Sequence, residues 1–302
     1  MFVSSPGMSM SRFATFSIAL SLLAAPSVAS AQSAPSSSAA VSSQREIVYR
    51  TPEAGPLHLD LHRPNTAKGK RTPVLVVIHG GAWARGERPK GWTGYSRFVD
   101  AGFAVVSMQY RLSGQARAPA AVEDVRCVMG WIARSAEREG LDPKRIVLMG
   151  TSAGAHLALM AATIDASEGL DPTECGPAPR AAAVIDFYGP TDLRPQSLGA
   201  WNSSSIGKWV GEGEAGAAMA ARMSPITRIK PGQPPVFIVH GDADPVVPVA
   251  ASIALKAALE RAKVPTELHV VPGGVHGKFE PLVQDRLLAD AVTFLKRHRV
   301  IE

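Results

Sequence analysis

The chain has 302 residues, 46% of them hydrophobic, with a formal net charge of +6 and two cysteines. That length and apolar content suffice to bury a large core in one domain. The basic groups KGKR (68–71), RGERPK (85–90) and KRHR (296–299) stand among acids, which reads as solvated faces and speaks against a nucleic-acid stripe.

In chain order, the first feature is an apolar stretch from Phe13 to Ala29 behind a lone Arg12, followed by Ala29-Ser30-Ala31, where a signal peptidase can cut before Gln32. The run is too short, and too interrupted by serines and Pro26, to read as a membrane span. Residues 1–31 are therefore expected to be a signal peptide, leaving a periplasmic or extracellular chain with no stable membrane span. Its loss removes only Arg12, so the charge becomes +6 − 1 = +5. Residues 32–44, QSAPSSSAAVSSQ, carry no charge and no aromatic, and are expected to be a disordered linker. The folded domain is expected to run from Arg45 to residue 302.

Apolar, β-leaning runs predict strands near 46–50, 57–62, 74–79, 103–109, 145–149, 182–187, 235–240 and 267–271, and helical patterns lie at 91–100, 119–138, 153–164, 249–263 and 284–298. Two strands without a helix, then a βα alternation, predict an α/β fold. Its sheet should be mostly parallel and eight-stranded, with an antiparallel N-terminal hairpin and helices on both faces. Residues 191–230 are too long for an ordinary connection and are expected to form a small lid-like insertion or part of a substrate wall. Trp201 and Trp209 there offer either aromatic surface or packing that holds the insertion down.

The most informative segment is RIVLMGTSAGAHLALMAA, which sets Ser152 between Gly150-Thr151 and Ala153-Gly154 where a strand pattern meets a helix pattern. The G-x-S-x-G pentapeptide alone is weak evidence, and its surroundings carry the reading. Upstream, PVLVVIHGGAW runs a buried-type strand into His79-Gly80-Gly81, where two backbone N–H groups can face a developing oxyanion. Downstream, one strand ends in a loop with Asp242 and Asp244, and a later one ends in a glycine loop with His276. Oxyanion loop, Ser, Asp, His is the chain order of α/β-hydrolases.

On these residues, together with Trp83, Gln109-Tyr110-Arg111, Asp186-Phe187-Tyr188-Gly189-Pro190 and His240-Gly241, the chain resembles α/β-hydrolase serine esterases and lipases with an HGG-type oxyanion loop. It is close to the secreted carboxylesterases that include acetylxylan and feruloyl esterases. Ala82 stands where a third glycine is common, and Gly277-Lys278-Phe279 follows the histidine in place of a longer glycine stretch. The resemblance implies Ser152, Asp244 and His276 as a catalytic triad and the amides of Gly80, Gly81 and Ala153 as an oxyanion hole. Spacing leaves Asp242 and Asp244 equivalent, and the resemblance alone prefers Asp244. Trp83 is placed to line the substrate pocket or to pack beneath the loop.

The other histidines and the cysteines have structural readings. His58, Asp60 and His62 alternate with leucines, which a strand with a solvated outer face explains without a metal. His156, one helical turn after Ser152, reads as a packed residue, and His79 and His240 as loop braces. In an exported chain Cys127 and Cys175 invite one disulfide, closing a loop of about 50 residues, worth roughly 4 kcal/mol in the chain-entropy model. The alternative is a buried free Cys127 with an exposed Cys175.

The implied activity is hydrolysis of short-acyl carboxylic esters on a small molecule or a polysaccharide, with neither metal nor organic cofactor. Acetyl and feruloyl groups are the candidates. An arylformamidase- or peptidase-like amide hydrolase, and a non-catalytic binding protein that kept the fold, are the other readings. Oligomeric state leaves no mark in the sequence.

Overall fold

The computed structural model describes residues 40–65, 71–198 and 204–302. The expected signal peptide, most of the expected linker and Trp201 lie outside these residues. All eight expected strands form one sheet: β1 (Val41–Arg50), β2 (Leu57–Pro64), β3 (Thr72–Ile78), β4 (Ala104–Met108), β5 (Leu141–Thr151), β6 (Ala183–Phe187), β7 (Val236–Gly241) and β8 (Thr266–Val271). Their order is β1-β2-β4-β3-β5-β6-β7-β8. β2 runs antiparallel to both neighbours, and the strands from β4 through β8 are parallel.

β1 begins at Val41, four residues before the expected domain start and inside the stretch expected to be linker. Val41 to Gln44 pair with Pro64 to Leu61, so ladder hydrogen bonds overrule a composition that argues for disorder.

Eight helices accompany the sheet among the described residues: α1 (Ser96–Asp100), α2 (Ala120–Glu139), α3 (Ala153–Thr163), α4 (Pro195–Leu198), α5 (Ser204–Val210), α6 (Gly213–Arg222), α7 (Ala250–Arg261) and α8 (Pro281–Arg297). The expected helix at 91–100 is only a 3-10 turn, Thr93–Tyr95, followed by α1, because Gly91 and Gly94 weaken its first half. α4 to α6 fold the 191–230 insertion and are not legible as helices in the sequence, being short and interrupted by glycines.

β3 is buried along its whole length, and its alternation divides the interior. Val74, Val76 and Ile78 face a core closed by α2, α3 and α7, whereas Leu75 and Val77 face a second one closed by α1 and α8. A parallel sheet covered on both faces in this way opens only at its strand ends. The loops after β3, β5, β7 and β8 all leave from one end, which brings the residues singled out above together.

Cys127 of α2 and Cys175 of the turn Thr173–Cys175 are disulfide-bonded and buried. Arg50 reinforces that corner, bonding Asp124 at 2.7 Å and Glu174 at 2.9 Å. The outer face of β2 differs from expectation: Asp60 and His62 are buried, not solvated. Asp60 accepts the Glu46 N–H at 2.9 Å and faces Arg88, itself buried, at 3.2 Å, while His62 Nδ1 meets Ser43 Oγ at 2.7 Å. The β1 hairpin supplies this cover, and burial lowers the His62 pKa. No metal-ligating cluster occurs among the described residues.

Asp186, near the end of β6, is completely buried; its Oδ1 accepts the Gly189 N–H at 2.8 Å and its Oδ2 has no partner. Burial lifts its carboxyl pKa from 3.8 to about 7. The folded chain therefore holds a proton there that the unfolded chain has released, so this group's contribution to stability is full below pH 4 and is lost as pH rises through 7. Asp186→Asn, which mimics the protonated acid, is expected to be more stable than wild type at pH 8.5, by on the order of a few kcal/mol, and to lose that advantage at pH 4. Thermal melts at both pH values check this, and an offset that is the same at both would contradict a neutral Asp186.

Candidate active site

Ser152 lies between β5 and α3 with φ +52° and ψ −121°, a conformation that residues with a side chain rarely adopt. Strain of this kind costs on the order of 1–3 kcal/mol and persists only where the surroundings hold it. Ser152 N–H extends the ladder to Phe187 O at 2.9 Å, and Ser152 O accepts the His156 N–H at 3.1 Å as the first helical bond. The chain must turn between these two bonds. Gly150 and Gly154 make the corner possible: a Cβ on Gly150 would collide with Gly154 backbone, and one on Gly154 with the carbonyls of Ile78 and His79. The nucleophile corner is thereby packed directly onto the end of β3.

The structure brings Ser152, His276 and Asp244 into one hydrogen-bonded line. Ser152 Oγ–H donates to His276 Nε2 at 2.9 Å, and His276 Nδ1–H donates to Asp244 Oδ2 at 2.7 Å. Asp244 is buried at its side chain, and His276 is one-fifth exposed. Asp244 Oδ1 accepts the N–H groups of Val246 at 2.7 Å and Val247 at 2.9 Å, and Oδ2 also lies 3.3 Å from His240 Nε2. The three hydrogen bonds, from His276, Val246 and Val247, fix its orientation. Asp242, which spacing does not separate from Asp244, is exposed and accepts the Gly273 N–H at 2.7 Å, so it braces the loop leading to His276.

That loop is tight. Val275 bridges Lys278, and Gly277 turns at φ +69° beneath Tyr188. The Tyr188 ring packs against the His276 imidazole, centroids 4.8 Å apart at 60°, a support with no local signature in the sequence.

The oxyanion loop is held through its carbonyls. Tyr110 O–H donates to His79 O at 3.0 Å, and His79 Nδ1–H donates to Gly80 O at 2.7 Å with its ring stacked on Tyr110. In a trans peptide the N–H points opposite to the C=O, so pinning these two carbonyls aims the N–H groups of Gly80 and Gly81 away from the pins. A Cβ on Gly80 would lie 2.8 Å from Thr151 O and 3.4 Å from Ser152 Cβ, which sets this backbone against the serine corner. Ala153 opens α3, where the first amides have no acceptor within the helix. His79 is thus a loop brace, as its sequence setting suggests, whereas the part played by Tyr110 has no mark in the sequence.

Trp83 requires a correction as a substrate-lining residue. It is 2% exposed, its indole lies flat on Trp209 at 4.8 Å and 9°, and its Nε1–H donates to His156 Nδ1 at 3.3 Å. Trp209 is fully buried as well, so in the insertion this aromatic surface is spent on packing. His156 donates from Nε2 to Met223 O at 2.7 Å, and burial lowers its pKa to about 4. It stays neutral and away from Ser152 chemistry. His240 is also buried; it donates from Nε2 to Val247 O at 2.8 Å, accepts from Ser252 Oγ at 2.7 Å, and has its pKa lowered by burial.

Residues 59–259 match the BD-FAE family model, a stretch that includes Ser152 and Asp244 and ends before His276. Esterase LipQ of Mycobacterium tuberculosis (strain ATCC 25618 / H37Rv) is 34% identical over 239 residues, which cover 76% of this chain and 56% of LipQ. Esterase LipC of the same organism is 28% identical over 238 residues, 72% of this chain and 56% of LipC. The chain thus spans little more than half the length of these relatives. Among solved structures, Thermogutta terrifontis esterase 2 phosphoramylated by tabun is similar with a TM-score of 0.73 and 25% identity, over 86% of this chain and 96% of that one. The sheet, the serine corner and the family match agree: the chain belongs to the BD-FAE family and has the α/β-hydrolase fold of esterases.

Proposed function

We propose that the protein is a serine carboxylic-ester hydrolase. The observation that carries this reading is the hydrogen-bonded line Ser152, His276, Asp244 at 2.9 and 2.7 Å, with the serine on a strained strand-to-helix corner. Ser152 Oγ attacks the ester carbonyl as His276 Nε2 takes its proton, and Asp244 holds the tautomer that leaves Nε2 free to do so. The amides of Gly80, Gly81 and Ala153 receive the oxyanion, each such donor being worth about 10²- to 10³-fold in rate. His276 then returns the proton to the leaving alcohol, and water releases the acyl group by the same steps in reverse.

Short acyl groups suit this site. The indoles of Trp83, at the end of the oxyanion turn, and of Trp209 are buried against each other and do not line a long apolar slot. A similar solved structure, esterase 2 of the Planctomycetes species Thermogutta terrifontis, is described as butyrate bound. Export is part of the reading, supported by the Cys127–Cys175 bond, a linkage kept in oxidising compartments. Acetyl and feruloyl esters of plant polysaccharide are the natural substrates to assay first, with acetylxylan, methyl ferulate and tributyrin side by side.

Ser152→Ala is expected to leave the melting temperature near wild type and to lower kcat on p-nitrophenyl butyrate by roughly 10³-fold or more. A variant that keeps a tenth of the wild-type rate would remove Ser152 from the nucleophile's role. Along a p-nitrophenyl series, kcat/KM is expected to be highest for acetyl and butyryl esters and to fall by decanoyl, because an added CH₂ contributes about 0.8 kcal/mol only where it is buried. A profile rising steadily to C12 would show a deep acyl pocket and a lipase.

A further inference from the structure

The oxyanion loop carries more strain than its glycines explain. Gly81, Ala82 and Trp83 follow one another at φ +119°, +54° and +56°, two of them with side chains. Within the loop, the Ala84 and Arg85 N–H groups, both on Gly81 O at 3.1 Å, close the turn. What holds its far end lies elsewhere in the chain.

Trp83 O accepts the Ser113 N–H at 2.8 Å, and its indole is gripped by two buried rings. Trp209 of α5 lies parallel to it, and the His156 imidazole stands across both tryptophans, 5.2 Å from each at 88° and 90°. His156 sits on α3, the helix that starts just after Ser152, and its other nitrogen is tied to Met223 O just after α6. Three elements therefore meet in one ring cluster: the oxyanion turn, the nucleophile helix and the insertion. Trp209 is also tied by its backbone, accepting the Ala118 N–H at 2.8 Å, whereas its Nε1–H has no partner. Its side chain serves this place through its ring face.

We propose that Trp209 is a positioning residue for the oxyanion hole: by clamping Trp83 it holds the Gly81-Ala82-Trp83 turn, and with it the Gly80 and Gly81 amides, in register with Ser152. The insertion thereby tunes transition-state stabilisation without touching substrate. Displacement of catalytic donors by about 1 Å costs on the order of 10²-fold, which sets the expected size of the effect. Because the oxyanion forms only in the transition state, the loss falls on kcat and leaves KM nearly unchanged.

The test compares Trp209→Leu, which removes the flat ring, with Trp209→Phe, which keeps a ring and deletes the unpartnered N–H. Turnover of p-nitrophenyl butyrate is expressed per site titrated with a fluorophosphonate, so that partly unfolded protein does not enter the rate. Trp209→Leu is expected to lower kcat about 30- to 100-fold with KM within about threefold, and to weaken binding of an aryl trifluoromethyl ketone, whose adduct needs the oxyanion hole, by a similar factor. Trp209→Phe is expected to stay within about threefold of wild type. A Leu variant with unchanged kcat per titrated site, or one altered only in KM, overturns the proposal, as does a Phe variant as impaired as Leu. The inference rests on the esterase reading. Wild-type protein that neither labels nor turns over ester overturns both, whereas an active wild type with an indifferent Leu variant overturns this one alone.

Discussion

The backbone corner at Ser152 is the constraint on which the site depends. A residue with a side chain stays at positive φ only when both flanks are committed to other structure. Here the β5–β6 ladder commits one flank and α3 the other, and the glycines at 150 and 154 let the two flanks and the end of β3 occupy nearly the same space. That contact also sets the distance from the serine to the oxyanion loop, because the loop is the continuation of β3. The central position of β3 and β5 in the sheet is therefore part of the catalytic geometry and not only of the core.

Around this corner the buried polar groups are arranged in two different ways. Asp244 has three hydrogen-bond donors for its two oxygens, the N–H groups of Val246 and Val247 and the partly exposed His276. Asp186 has one donor and an orphaned oxygen, and burial drives it toward the neutral acid. His156, His240 and His79 each have a backbone carbonyl for one nitrogen and a pKa lowered by burial. Three neutral histidines hold loops, and one partly exposed histidine sits between a serine and a carboxylate. His240 also lies between a hydroxyl, Ser252 Oγ, and Asp244, but it is buried and its Nε2–H serves Val247 O.

The insertion shows how a segment remote in sequence enters the site without lining it. Its helices are short, yet Trp209 is fully buried and forms a parallel stack with the residue that ends the oxyanion turn. The sequence offers two uses for such a tryptophan, surface or packing. Packing prevails: an indole carries a large apolar area, and here it docks a seven-residue helix onto the domain.

Strand and helix periods, and the chain order of the serine, acid and histidine loops, are legible in the sequence alone, since they are written in local patterns of apolar, glycine and β-branched residues. So is the likeness of the segments around His79, Ser152 and His276 to hydrolase motifs. The choice between Asp242 and Asp244 is not legible from spacing, since both sit in one loop and differ only in the direction that the turn gives their side chains. Nor is the start of β1 at Val41, the burial of Asp60 and His62, or the place of Trp83, because each depends on a partner far along the chain: Pro64, Arg88, Trp209. The roles of Tyr110 and Tyr188 belong to the same class. Local sequence determined which residues could do the chemistry and in what order they arrive. Tertiary structure decided which of them meet, because hydrogen bonds and ring contacts are short-ranged and only folding brings residues 124 apart, such as Ser152 and His276, within reach.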